Sequence, residues 1–556
     1  MAWPALFNEP LLREVSSHSK TLATTLSLTL LVSLLIARRN QNDPSKPPLI
    51  YETIPYVSNI WQYVVGKRLF FRRVSKVLET TPLVQCRMGP ISIYFVSGGS
   101  YLSALFKSSF ITQPSIIRVI DYSAGYEASD VAKFAADDSG SAHVPLRGSN
   151  VGSDDRIWHA MHRLHSETLL SSAAANAFAA AFQDYFSQEL ATSGRWIGRP
   201  GEWATTEISS FLRKHMMAAA TKSIVGPSIY DMSPDFDDAF WKYEPQVETL
   251  AFGLPDWMTK AGLKARDEMR AIWRRWYEAT DAKYDWSNSH DDVDLDPVFG
   301  SRISKGLARM GKSFGFSNET MGASYAIFLV GVHTNTIATC TWIVMELIKD
   351  PSLWRAVKEE VLEAQYFDHT GLKLNVEKLV SQPLLQSVYA EILRLYSRFL
   401  IARTATESVT VCGYTLPKGS TVMTPVEASH LREDIWGAPS HPASEFWAAR
   451  HIVEIEAQDE HGSTTKRKEY SLGDRKKFFL PYGGGLSMCP GRNIGKVEVI
   501  LCVSMLVQAF EVDFSSVEWV KEDGSPSERP ASDEDLYSNA MTIHPDREMR
   551  VRWRKL

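Results

Sequence analysis

One segment limits the possible folds more than any other: Phe478-Phe479-Leu480-Pro481-Tyr482-Gly483-Gly484-Gly485-Leu486-Ser487-Met488-Cys489-Pro490-Gly491-Arg492. Aromatic residues lead into three glycines, and Cys-Pro-Gly-Arg then opens an apolar helix. Glycines let a backbone pass close beneath a bulky group. Backbone N–H groups and a helix N-terminus around Cys489 stabilise its sulfur as an anion. The fold therefore has to deliver one thiolate, at the head of a helix, to whatever the loop approaches.

Two further segments lie upstream. Glu391 and Arg394 sit three apart in the helical run Leu384 to Leu395, so they share one helix face and pair. Phe446-Trp447-Ala448-Ala449-Arg450 follows. In this order and spacing the three segments resemble the cytochrome P450 family. Phe446 to Arg450 is similar to its Phe-x-Pro-x-Arg segment, with Ala448 in place of the proline.

The resemblance implies a mainly α fold with small β-sheets (α+β) and haem b bound through an axial Cys489 thiolate. A thiolate ligand pushes electron density toward O–O cleavage. Tyr482, Gly485 and Gly491 would surround the cofactor, and Arg450 would complete a Glu391/Arg394/Arg450 triad. A buried carboxylate bridging two guanidiniums locks the cysteine loop against the core.

At roughly 150 residues per domain, 556 residues suggest three or four domains. The resemblance runs from about Leu49 to the C-terminus and instead implies one haem domain over residues 51–556. Apolar content of 44% and 16 tryptophans supply its core. A net charge of −5 gives no reason to expect nucleic acid. Five scattered cysteines without CxxC spacing indicate reduced thiols facing the cytosol.

Residues 21–37 are uncharged and apolar, at the short limit of a membrane span. Arg38 and Arg39 follow, then a proline-rich linker over residues 38–50. Residues 1–20 are expected to be lumenal, 21–37 to form a signal anchor, and the catalytic domain to face the cytosol from the endoplasmic reticulum.

Leu83 to Val96 reads as a strand pair about Gly89-Pro90, and Tyr101 to Lys107 as a helix. Residues 120–155 read as a long loop. Asp155 to Ile348 is helical, with breaks at 194–201, 253–255 and the acidic stretch 285–297. His290, Asp291, Asp292, Asp294 and Asp296 read as a solvated loop rather than a metal site. Arg403 to Val422 is β-like, and the chain ends in a β-rich tail.

Asn318 to Lys349 reads as one helix of roughly 45 Å at 1.5 Å per residue, capped by Asn318. At its centre the family has Ala-Gly-x-Asp-Thr, whose acid and alcohol relay protons to the oxygen being reduced. Here the residues are Gly331-Val332-His333-Thr334-Asn335-Thr336. One register puts His333 on the acid and Thr334 on the alcohol. The preferred one puts Thr334 on the acid and Asn335 on the alcohol, because Asn-Thr-Ile and the later Trp342 resemble the bile-acid sterol hydroxylases and prostacyclin synthase. An Asn amide orders water but is a poor acid, so protons would come through water or Thr334, with Thr336 alongside.

The resemblance assigns a haem propionate to Arg403, and further contacts to Trp158 and to His162 in the family's arginine position. Ser487 stands where many relatives have another propionate-binding Arg. Phe399, Leu400, Ile401 and Met541 are expected to line an apolar pocket for a lipophilic terpenoid, steroid or other polycyclic natural product. Likeness to fungal biosynthetic members points to secondary metabolism. Electrons would come from NADPH through NADPH-cytochrome P450 reductase, with cytochrome b5 as a second donor. The basic groups Lys466-Arg467-Lys468 and Arg475-Lys476-Lys477 would dock an acidic partner. The alternative activity is a redox-neutral isomerase of the same fold, as prostacyclin synthase is.

Overall fold

The computed structural model describes residues 45–556 apart from 90, 108, 193, 289–293, 370, 459–463 and 534–540. The expected lumenal segment, the signal anchor and most of the linker lie outside these residues, as do His290, Asp291 and Asp292.

The central helix, Asn318–Lys349, is the axis of the fold. Its cap is Ser317 rather than Asn318: Ser317 Oγ accepts the Thr320 N–H at 3.1 Å. By length and hydropathy it would pass for a membrane span, yet 67% of its apolar window is buried, so it is a core helix. Helices Lys260–Lys283, Ile208–Val225, Pro383–Tyr396 and the cysteine helix Arg492–Ala509 pack around it. Contact with Lys260–Lys283 needs Gly322, where a Cβ would stand 2.6 Å from the Arg270 carbonyl oxygen. Trp273, Trp276, Phe236, Phe240 and Tyr325 fill the space beside that crossing.

A five-stranded sheet lies to one side, in the order Leu83–Met88, Ile91–Val96, Thr421–Pro425, Leu400–Ala405, Phe110–Ile111. Arg403 pairs with Val422 in it. Under this sheet Leu83, Val96, Leu105, Ile401 and Val422 form a second core that includes Leu480, the start of the cysteine loop. The tail forms a four-stranded sheet, in which Glu548–Lys555 lies between Phe510–Val520 and Trp203–Glu207.

Two further expectations change. Residues 120–155 are not all loop: Val119–Ala124 forms a wide helical turn and Ala128–Ala136 a helix. That helix is alanine-rich and carries Asp130 in its first turn, where a carboxylate favours the positive helix end. Trp203–Glu207, within the region read as helical, is a strand completed by the distant C-terminus. The basic Lys466-Arg467-Lys468 group lies on a hairpin whose opposite strand supplies Glu456 and Glu454 across from Lys466 and Lys468.

Candidate active site

Glu391, Arg394 and Arg450 come together as the resemblance implies. Arg394 Nε and Nη2 each donate to the Glu391 carboxylate at 2.8 Å, and Arg450 Nε donates to Oε1 at 2.7 Å. All three side chains are fully buried. Burial alone would raise the Glu391 pKa, but hydrogen bonds from Arg394 and His451 and both guanidinium charges outweigh it and hold it at about 2. The absent proline costs nothing visible: the Ala448 carbonyl accepts a hydrogen bond from Ser387 Oγ.

The triad reaches the cysteine loop through a residue that spacing did not reveal. Arg394 Nη1 donates to the His430 carbonyl at 2.7 Å, and His430 Nε2 accepts the Leu480 N–H at 2.8 Å. From Leu480 the loop runs to Cys489, whose N–H donates to the Tyr482 carbonyl at 2.9 Å. Tyr482 is fixed in turn by a 2.7 Å hydroxyl contact with Tyr389.

Cys489 stands three residues before the cysteine helix and faces a cavity of about 760 Å³. Burial raises its thiol pKa, opposed by the Gly491 and Arg492 backbone N–H groups and the Arg492 charge. Gly491 lines the cavity, and a Cβ on it would stand 4.0 Å from the sulfur. Gly485 does not serve as expected. Its φ is +67°, and a Cβ there would meet the Phe106 side chain at 2.9 Å, so it packs outward while Gly483 faces the cavity.

Phe399, Leu400, Ile401 and Met541 all line the cavity, as does Arg403. The Arg403 guanidinium donates to the Ala402 and Gly484 carbonyls at 2.8 and 2.9 Å. Burial lowers its pKa to about 10, still a cation at neutral pH. Ser487 Oγ lies 3.2 Å from Thr112 Oγ1, so two hydroxyls occupy the place of the second arginine.

Trp158 and His162 are not brought to the cavity. The Trp158 indole N–H donates to the Phe134 carbonyl at 3.0 Å, and the ring fills a core with Ile120, Phe134 and Ile157. The cavity face of helix Ile157–Leu169 carries Met161, His165 and Thr168 instead. His165 stacks near Phe328, and burial depresses its pKa to about 4.

The rotation of the central helix decides which of these side chains meet the cavity. Gly331, Val332, Asn335, Thr336 and Thr339 face the cavity. Thr334 does not: it is fully buried on the other side, so it cannot hand protons into the cavity. His333 also points away, with Nε2 2.9 Å from Thr221 Oγ1 and its pKa lowered to about 3 by burial. Asn335 Oδ1 accepts the Thr542 N–H at 2.8 Å, joining the helix to the segment that carries Met541. Thr336 Oγ1 lies 3.2 Å from Glu498 on the cysteine helix, a pairing invisible in linear spacing.

These residues fit a haem. One cavity wall offers a thiol at a helix head, another a helix bare of bulk at Gly331, where a Cβ would meet nothing within 4 Å. A buried cation, Arg403, and the Ser487 and Thr112 hydroxyls line the same cavity. Arg475 is structural, donating to the Arg450 carbonyl at 3.1 Å with its guanidinium 5.5 Å from the Trp436 ring. Lys476 and Lys477 remain exposed.

Comparison with known proteins agrees. The cytochrome P450 family profile matches residues 47–527. Cytochrome P450 monooxygenase calL of Penicillium decumbens is 33% identical, over 94% of this chain and 96% of its own length. Cytochrome P450 monooxygenase fsoE of Humicola fuscoatra is 26% identical over 92% and 88%. Cholesterol 7-alpha-monooxygenase of Cricetulus griseus is 24% identical over 56% and 60%. With its thiol-headed helix, its buried triad and these relatives, the chain belongs to the cytochrome P450 family and is a haem-thiolate monooxygenase.

Proposed function

We propose that this enzyme inserts one atom of O₂ into a lipophilic polycyclic compound, a terpenoid or steroid-like molecule of secondary metabolism. The balance is RH + O₂ + two electrons + two protons → ROH + H₂O. NADPH supplies the electrons through its reductase, with cytochrome b5 as a second donor. The observation that carries this reading is the Cys489 cavity, walled by Ile116, Ile120, Phe328, Phe399, Ile401 and Met541. An apolar lining with few polar groups takes apolar ligands. The fungal relatives named as monooxygenases support the reaction, and the relative named cholesterol 7-alpha-monooxygenase supports a steroid-like substrate.

Cys489 would hold the haem and Arg403, Ser487 and Thr112 would receive its carboxylates; the group would supply oxygen activation. The chain's own residues do the rest. The triad and His430 fix the loop so that Cys489 stays on one line toward the cavity. Asn335 orders water over that face through its amide. The apolar walls exclude bulk water and hold the substrate.

The domain is read as anchored at the endoplasmic reticulum membrane with its catalytic part in the cytosol. Trp61, Val64 and Val65 on helix Ser58–Val65 are 65%, 71% and 59% exposed, and Trp257 and Met258 are 72% and 54% exposed. The Tyr63 and Phe252 ring centroids are 5.6 Å apart, which brings helix Ser58–Val65 to the segment leading to Trp257, and the exposed apolar side chains there are taken as one rim. Such a rim suits the bilayer interface.

The test combines spectroscopy with turnover. Reduced protein with carbon monoxide should show the long-wavelength thiolate Soret band, and Cys489→Ala should lose it. With reductase, NADPH and ¹⁸O₂, fungal terpenoid and steroid extracts should yield products carrying one ¹⁸O. Products formed from a peroxide substrate without NADPH would establish the isomerase alternative instead.

A further inference from the structure

Most hydroxyls that line the cavity have already committed their hydrogen to the backbone. Thr168 donates to the Leu164 carbonyl at 2.6 Å and Ser223 to Ala219 at 2.7 Å. Thr336 and Thr339 donate to Val332 and Asn335 at 2.9 and 2.7 Å. Tyr126 also lines the cavity and differs from them. Its oxygen accepts from Ser324 Oγ at 2.8 Å, and Ser324 reaches back to the Thr320 carbonyl at 2.8 Å. A tyrosine hydroxyl that accepts still has one hydrogen to give. Among the described residues that hydrogen meets no acceptor. Burial pushes the Tyr126 pKa up to about 12, so the hydrogen stays on at neutral pH. The ring meets Phe134 edge-on at 6.0 Å and packs with Ile120 and Phe316. A lone donor bordered by apolar surface selects a ligand that brings an oxygen to it. Ser324 and Asn335 both line the cavity from the central helix, about 16 Å apart at 1.5 Å per residue. The donor therefore lies far from the Asn335 end.

We propose that Tyr126 determines specificity: its hydroxyl, held by Ser324, donates to an alcohol or ketone oxygen at one end of the substrate. That contact fixes which carbon lies at the Asn335 end. The substrate class narrows to polycyclic molecules already carrying an oxygen, so an earlier oxidation or hydration step must supply them. The proposal rests on the monooxygenase reading and names the substrate of that same site. The plainer role for Tyr126, tying its loop to the central helix, needs only that it accept from Ser324.

The experiment uses the haem-loaded full chain with two rigid probes of similar shape, 2-adamantanone and adamantane. In wild type the carbonyl stretch of bound 2-adamantanone should lie below its value in hexane, and Tyr126→Phe should return it there. Tyr126→Phe should also weaken the ketone about tenfold, the order of one buried hydrogen bond, and leave adamantane binding unchanged. Ser324→Ala removes the tie but keeps the donor, so the lowered stretch should persist. A ketone that does not bind, a stretch unmoved by Tyr126→Phe, or equal weakening of both probes overturns the proposal. A stretch lost only in Ser324→Ala overturns it too, because the contact then belongs to Ser324. Should Tyr126→Phe fail to hold haem, Tyr126→Leu must give the same selective loss, and no such loss overturns the proposal. Wild type that shows the probe contrast but yields no ¹⁸O-labelled product with NADPH and reductase counts against the monooxygenase reading and leaves the Tyr126 assignment standing.

Discussion

His430 Nε2 accepts the backbone N–H of Leu480 at 2.8 Å, while its own carbonyl accepts Arg394 Nη1 at 2.7 Å. One residue thus links the Glu391 triad to the first turn of the cysteine loop. Burial keeps this imidazole neutral, with a pKa lowered to about 3, as an acceptor for Leu480 requires.

His430→Ala leaves the Leu480 N–H buried without a partner, at about 1–3 kcal/mol. Thermal unfolding should fall by several degrees, and haem content should drop while far-ultraviolet circular dichroism is unchanged. Glutamine, which can still accept, should recover part of the loss.

Removing the triad carboxylate is more severe. Glu391→Ala strands two buried guanidiniums, at about 3–5 kcal/mol. The protein should express without haem, and a haem-replete Glu391→Ala variant would show that the pair is not what holds the loop.

Acid should destabilise the domain below pH 6.5, partly through His333. Its pKa is about 3 in the folded protein, through burial, against an ordinary 6.5. Between those values the unfolded chain binds a proton that the folded one refuses, so stability falls as pH falls. His333→Gln should make the slope between pH 6.5 and 4.5 shallower by one proton, about 1.4 kcal/mol per pH unit.

Asn335→Ala unpairs the Thr542 N–H and loosens the segment carrying Met541. The thiolate spectrum should persist, while product per NADPH falls and substrate affinity weakens several-fold. Threonine, shorter by one heavy atom in reach, should restore the hydroxyl of the family without restoring the tie to Thr542. Its coupling should therefore recover more than its affinity.

Paired charges on the apolar rim, Val64→Glu with Trp257→Glu, should reduce binding of an anchor-free protein to vesicles. Its carbon monoxide spectrum should be unaffected, because both residues are exposed and neither lines the cavity.

Chemistry carried by neighbours in the chain was legible without coordinates. Cys489 and its glycines, the Glu391–Arg394 pair and the uninterrupted central helix depend on bonds or spacings within a few residues. A helix of known period also places 331, 335 and 339 on one face, but not which face meets the cavity. That rotation came from packing: Gly322 against Arg270, and His333 against Thr221, turn Thr334 inward and Asn335 to the cavity. Packing likewise took Trp158 into the Phe134 core and left His165 facing the site. The His430–Leu480 and Thr336–Glu498 contacts exist only because segments 50 and 162 residues apart were brought together. Local covalent geometry wrote the thiolate loop into the sequence; the sum of many weak contacts chose which side chains surround it.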